Sequence, residues 1–115
     1  VPQPESLGSQ YEITPAELVA WLERDDRPYL LDVRNPHEYE IARIPGVDKL
    51  IPVDDLPSHL NELDTSREMV VYCKSGVRSA RAVNMLKDAG FRKLKNLVGG
   101  ITRWSDDVDP TMPKY

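Results

Sequence analysis

Cys73 is the one cysteine of this chain, standing between an apolar run, Met69-Val70-Val71-Tyr72, and a polar stretch, Lys74-Ser75-Gly76-Val77-Arg78-Ser79. A β-branched and aromatic run, a bend containing glycine and an alanine-bearing helical segment read as strand, tight loop and helix. Such a loop turns backbone N–H groups inward, and the start of the next helix adds positive partial charge. A thiol placed there is favoured as its anion, the reactive form. Lys74 and Arg78 bring two cations to the same bend. The chemistry these residues permit is nucleophilic attack by sulfur inside an anion-binding cradle.

Other residues narrow the type of cysteine chemistry. A papain-type protease needs a histidine base, and His37 and His59 both lie in charged segments that read as exposed. One Cys and two scattered His lack the spacing of a metal site, and a dithiol redox site needs a second Cys. No metal and no cofactor are expected. A cysteine phosphatase or arsenate reductase is the rival, because it too sets a thiolate in a strand-loop-helix bend with an arginine. That signature has five residues between Cys and Arg. Here four intervene, Lys74, Ser75, Gly76 and Val77, and Ser79 follows Arg78. The shorter loop suits a sulfur atom carried on the thiol better than a tetrahedral phosphate.

The elements that must position this loop are legible as alternating strands and helices. Tyr11-Glu12-Ile13 reads as a first short strand. Thr14, Pro15 and Glu17 are an N-cap, a first helical residue and a capping-box partner, and Leu18, Trp21 and Leu22 form that helix's apolar stripe. Tyr29-Leu30-Leu31-Asp32-Val33 reads as a buried parallel strand with a functional end. Asn35 to Glu40 reads as a short capped helix, Ile44-Pro45-Gly46 as a turn and Lys49-Leu50-Ile51 as a strand. A helix is expected from Asp54 on, with Leu56, Leu60 and Leu63 on one face. After the Cys73 loop, a helix turns Ala82, Val83, Leu86 and Ala89 inward and stops at Gly90. Residues 93–97 alternate like a strand with one buried face. Gly99-Gly100 admits a tight turn, and Ile101 to Trp104 start the last helix. The pattern predicts an α/β domain with a mostly parallel sheet flanked by helices on both faces. Sites in such sheets lie beyond the C-terminal strand ends, which makes Asp32 and Cys73 candidate neighbours.

At 115 residues, 40% hydrophobic and 30% charged, the chain has the makings of one domain with its own core. The net charge of −4 argues against a nucleic-acid partner. No apolar stretch approaches the ~20 residues of a membrane span, and a lone thiol fits a reducing, cytoplasmic setting. Residues 1–10 have a linker's composition, residues 11–107 are expected to form the domain, and residues 108–115 form a tail.

Four motifs in order resemble the rhodanese family. Leu31-Asp32-Val33-Arg34-Asn35-Pro36-His37-Glu38-Tyr39 is similar to its LDVR-x-P-x-E-(F/Y) segment, and Ile44-Pro45-Gly46-Val47 to its IPGA motif. The loop of residues 73–78 resembles the family's six-residue active-site loop, and the Gly99-Gly100 to Trp104 stretch its closing GG-x-x-x-W. Ala42-Arg43 replace the usual Gly-His, and Lys74 stands where Arg is common. The resemblance implies a rhodanese-like three-layer sandwich and a sulfurtransferase that takes sulfane sulfur from a donor such as thiosulfate as a Cys73 persulfide. It implies Lys74, Ser75, Gly76, Val77 and Arg78 as the substrate-binding loop. Asp32, Arg34, Glu38 and Ser79 are supporting candidates, with Asp32 expected to anchor Arg78 or a loop N–H, or else to face water. Trp104 is expected in the core.

The ends resemble the C-terminal domain of MoeZ-type adenylyltransferase–sulfurtransferases. That likeness implies two partners: an N-terminal adenylating domain of the same polypeptide, and a ubiquitin-like sulfur-carrier protein whose activated C-terminus accepts the sulfur. The donor, the carrier and the end product, molybdenum cofactor among the options, stay open at this point. So do the phosphatase or arsenate reductase reading and a non-catalytic rhodanese-like interaction module.

Overall fold

The computed structural model describes residues 9–115. Residues 1–8, most of the linker-like segment, lie outside it. Five strands form one sheet: β1 Glu12–Ile13, β2 Tyr29–Asp32, β3 Lys49–Leu50, β4 Met69–Tyr72 and β5 Leu94–Leu97. Their spatial order is β1-β5-β4-β2-β3, and every pairing is parallel. The helices are α1 Pro15–Leu22, α2 Pro36–Ile41, α3 Val77–Asp88 and α4 Gly100–Asp107.

Strand alternation sorts the core into two layers. Leu31, Met69, Val71, Cys73 and Leu94 join Ala82, Val83 and Leu86 of α3 on one face. Leu30, Val70, Tyr72 and Leu97 join Leu18 of α1 with Ile101 and Trp104 of α4 on the other. The expected three-layer arrangement, with helices on both faces of the sheet, is therefore the one found. The parity of β4 decides which layer receives the thiol: Cys73 shares the phase of Met69 and Val71, so it faces α3.

Local signals explain most elements. At α1, Thr14 Oγ1 accepts from the Glu17 amide at 3.2 Å and Glu17 Oε1 accepts from the Thr14 amide at 2.9 Å. That reciprocal cap is worth about 1 kcal/mol. The helix expected from Asp54 is instead two 3-10 turns, Val53–Ser58 and Leu60–Glu62. Pro57 lacks the amide an α-ladder needs, so the leucine spacing is met by turns: Leu56 and Leu63 are buried and Leu60 is half-buried. Ala89 is exposed rather than inward, since it is already the C-cap of α3. In β5 both faces are covered, because Leu94 and Leu97 enter opposite layers and Asn96 is buried too.

Among the described residues no helix is long and apolar enough to cross a membrane. The tail, residues 108–115, turns back on the domain and inserts Met112 into the α4 layer.

Candidate active site

The loop of residues 73–78 joins the central strand β4 to α3, and each end is fixed by a different contact. Cys73 Sγ accepts a hydrogen bond from the Gly76 amide at 3.1 Å, and the residue is only 1% exposed. Gly76 sits at φ +103°, a conformation L side chains rarely adopt. It is also the N-cap of α3 and offers no side-chain cap, leaving the helix start open. Among the described residues the amides of Lys74, Ser75, Val77 and Arg78 donate to no protein acceptor. The sulfur thus lies beside a helix N-terminus with unspent donors, an arrangement that favours negative charge.

Helix α4 shapes the loop from behind. The Ile101 amide donates to the Cys73 carbonyl at 2.9 Å and the Thr102 amide to the Lys74 carbonyl at 3.1 Å. Because a trans peptide sets its C=O and N–H in opposite directions, these bonds aim the Lys74 and Ser75 amides away from α4. The approach requires Gly100: a Cβ there would stand 2.4 Å from the Lys74 carbonyl oxygen and 2.5 Å from that of Cys73. Its φ of +60° is also a glycine conformation. Strand β5 adds Asn96, whose Nδ2 donates to the Gly76 carbonyl at 3.2 Å while its Oδ1 accepts from Ser79 Oγ at 2.5 Å. Ser79 Oγ also lies 3.4 Å from Sγ. Its single proton has two acceptors, and the nearer is Asn96.

A polar network flanks the loop. Arg34 is fully buried and folds back on Asp32, giving Nε to Oδ1 at 3.0 Å and Nη2 to Oδ2 at 2.7 Å. Its Nη2 also donates to the Ala42 carbonyl at 2.7 Å. Burial works against the charge, but the bonds to Asp32 and to the Tyr115 hydroxyl outweigh it and push the Arg34 pKa up. Glu38 holds Arg78 in a bidentate pair, Nη1 to Oε1 at 2.7 Å and Nη2 to Oε2 at 2.9 Å. The same Oε1 accepts from the Asn35 amide at 3.1 Å, as an N-terminal cap of α2. Arg78 chiefly, helped by the Asn35 amide and Tyr115, holds the Glu38 carboxyl down to about 2 against the cost of burial.

The structure gathers Cys73, Lys74, Ser75, Gly76, Val77, Arg78 and Ser79 at one strand end, with Asp32 on the adjacent strand. Two expectations need correction. Asp32 anchors Arg34, not Arg78 or a loop amide, because Arg34 lies two residues on and curls back over the strand end. Nor does Asp32 face water; it is fully buried. Ser75 and Val77 are exposed on the loop, His37 is exposed, His59 is half-exposed and Trp104 is core. Among the described residues no group of three or more His, Cys, Asp and Glu is placed to hold a metal ion. Sequence reasoning missed Asn96 and Tyr115. Asn96 carried a signal, an amide in the same alternation phase as Leu94 and so on the buried face.

A cysteine thiol at the end of the central parallel strand, beside a six-residue loop, is the frame for comparison with known proteins. Residues 14–107 match the Rhodanese-like domain family, and the chain belongs to it. Over 105 residues it is 43% identical to the probable adenylyltransferase/sulfurtransferase MoeZ of Mycobacterium tuberculosis, covering 90% of this chain and 26% of that protein. It is 37% identical to the putative sulfur carrier protein YrkF of Bacillus subtilis, covering 91% of this chain and 56% of that one. The crystal structure of a rhodanese-like domain protein from Staphylococcus aureus superposes with a TM-score of 0.77 at 34% identity, over 84% of this chain and 93% of that one. The chain thus spans about a quarter of its MoeZ relative. Family membership supports sulfur transfer as the class of chemistry.

Proposed function

We propose that this domain carries sulfane sulfur on Cys73, taking it from thiosulfate or a persulfide donor and passing it to the activated C-terminus of a ubiquitin-like carrier. The observation that supports the reading best is the placement of Sγ, 3.1 Å from the Gly76 amide at the uncapped start of α3. In the first half-reaction the Cys73 thiolate attacks the outer sulfur of thiosulfate. A new S–S bond forms, the donor's S–S bond breaks, and its electron pair leaves with sulfite. The persulfide keeps one negative charge, which the loop amides of residues 74–78 are suited to stabilise.

In the second half-reaction an acceptor takes the outer sulfur. Cyanide removes it as thiocyanate and restores the thiolate. With a carrier acyl-adenylate, the persulfide displaces AMP to give an acyl disulfide. An external thiol then attacks the Cys73 sulfur, releasing the thiocarboxylate and leaving a mixed disulfide, which a second thiol reduces to restore Cys73. The adenylate would come from an adenylating domain of the kind joined to the rhodanese region in MoeZ-type proteins. A cytoplasmic setting suits both the adenylate and the free thiol.

Lys74 is the mobile cation for an anionic donor: among the described residues it pairs with no carboxylate, and its Nζ lies 4.5 Å from the Tyr115 ring centre. Arg78 has both terminal nitrogens committed to Glu38. The test is mass spectrometry after thiosulfate treatment, with one added sulfur expected and its loss on reduction. Cys73→Ser should show no adduct and no thiocyanate formation while keeping the far-UV circular dichroism of the wild type. Turnover by Cys73→Ser, or an unmodified wild type, would reject the mechanism.

A further inference from the structure

The tail reaches the site through a defined set of contacts. The Val108 amide continues from the Trp104 carbonyl at 2.8 Å, the Met112 amide closes a turn on the Asp109 carbonyl at 3.1 Å, and Met112 is buried in the α4 layer. Three residues later Tyr115 lies over the flanking network. Its hydroxyl accepts from Arg34 Nη1 at 2.8 Å and donates to Glu38 Oε2 at 2.9 Å. That direction is obligatory, because a guanidinium only donates and an ionised carboxylate only accepts. The ring of the same residue carries Lys74 Nζ at 4.5 Å. A cavity of about 170 Å³ between the tail and α4 is lined by Lys74, Ile101, Met112 and Tyr115.

We propose that Tyr115 is a positioning residue for sulfur transfer: its hydroxyl fixes the Glu38 carboxylate that holds Arg78, and its ring seats Lys74. One side chain thereby sets both cations of the Cys73 loop. The inference rests on the sulfurtransferase reading above. Each Glu38 oxygen has two donors, Asn35 N and Arg78 Nη1 on Oε1, Arg78 Nη2 and the Tyr115 hydroxyl on Oε2. Without the hydroxyl, Oε2 is held by Arg78 alone, and among the described residues the Asn35 amide on Oε1 is the one remaining hydrogen bond that ties the Glu38–Arg78 pair to the fold. Without the ring, the Lys74 amine loses its cation–π seat and samples solvent. Both changes act on the binding of an anionic donor and leave the thiol, the Gly76 amide and α4 in place.

The experiment is steady-state thiosulfate:cyanide kinetics on wild type, Tyr115→Phe and Tyr115→Ala, with thermal unfolding of each. Tyr115→Phe keeps the ring and should raise the KM for thiosulfate about 3- to 10-fold, the scale of one charge-assisted hydrogen bond acting through a neighbour. Tyr115→Ala should raise it about 10- to 50-fold by adding the lost cation contact. In both, kcat should stay within about 2-fold, since groups that bind ground and transition state alike act on KM. A double-mutant cycle separates this from a packing defect: with Glu38→Gln already made, Tyr115→Phe should add little further to KM. Unchanged KM in an active Tyr115→Phe overturns the inference and leaves the sulfurtransferase reading standing. Additive effects in the cycle, or a fall in kcat with KM unchanged, also overturn it. An inactive wild type removes the sulfurtransferase reading and this inference with it.

Discussion

Gly100→Ala is the sharpest test of how the loop is built, because the lesion is at a buried position behind the loop. A Cβ at residue 100 would lie 2.4 Å from the Lys74 carbonyl oxygen, 2.5 Å from the Lys74 carbonyl carbon and 2.5 Å from the Cys73 carbonyl oxygen. Reaching ordinary contact requires the loop backbone to retreat by about 1 Å. An alanine held at φ +60° costs about 1–2 kcal/mol, and the overpacking adds about 1–3 kcal/mol. The domain should remain folded, with its melting temperature lowered by roughly 8–20 °C. A displacement of about 1 Å at a reacting atom is worth on the order of 100-fold in rate. kcat/KM for thiosulfate:cyanide transfer should therefore fall about 100-fold, well beyond what the stability loss explains.

Gly90→Ala is the matched control. Gly90 also has positive φ, +98°, but nothing lies within 4 Å of its would-be Cβ. That variant should lose about 1–2 kcal/mol of stability and no activity per folded molecule. Urea unfolding and initial rates on both proteins decide the matter. If Gly100→Ala, still folded, keeps kcat/KM within about threefold of wild type, the claim that α4 shapes the loop is wrong.

Three further outcomes follow from the same contacts. Asn96→Leu leaves Ser79 Oγ without its nearer acceptor and should cost about 1–3 kcal/mol, with kcat/KM down roughly tenfold as the start of α3 shifts; equal activity per folded molecule would show that Asn96 is structural only. Arg34→Met strands the buried Asp32 carboxylate and should cost about 3–5 kcal/mol in urea unfolding, with Asp32→Asn in the same chain recovering part of the loss; no recovery would mean the pair is not the source. Glu38 has its carboxyl held at about 2 in the fold against an ordinary 4.5. The stability this supplies is fully present above pH 4.5 and disappears as pH falls through 2, an upper limit of roughly 3 kcal/mol. The stability gap between wild type and Glu38→Gln should shrink across that window, and parallel curves would contradict it.

The sequence made the thiol's setting legible because its signals are local. Parity along Met69 to Tyr72 assigns Cys73 to a face, and the Thr14, Pro15 and Glu17 pattern starts α1 where it forms. The leucine spacing after Asp54 imitates a helix, whereas the segment forms two 3-10 turns with Pro57 inside the first. Contacts between distant residues were the unreadable part. Two arginines flank two acids here, and composition cannot say that Asp32 takes Arg34 while Glu38 takes Arg78. Tyr115 lies 77 positions from Glu38 in the chain, and nothing in a tail of Asp, Pro, Thr, Met and Lys marks its phenol as part of the site.

If Cys73 carries sulfur as proposed, its burial has a consequence for how long that sulfur stays. A persulfide next to a second thiol can discharge itself, closing a disulfide and expelling hydrogen sulfide. These 115 residues hold one cysteine, and its sulfur is almost wholly enclosed, so a persulfide there would find no second thiol within this domain. Discharge needs a nucleophile that arrives from outside and fits the mouth of the loop. Under the proposed function, sulfur on Cys73 would be a stored equivalent whose half-life is set by the acceptors on offer.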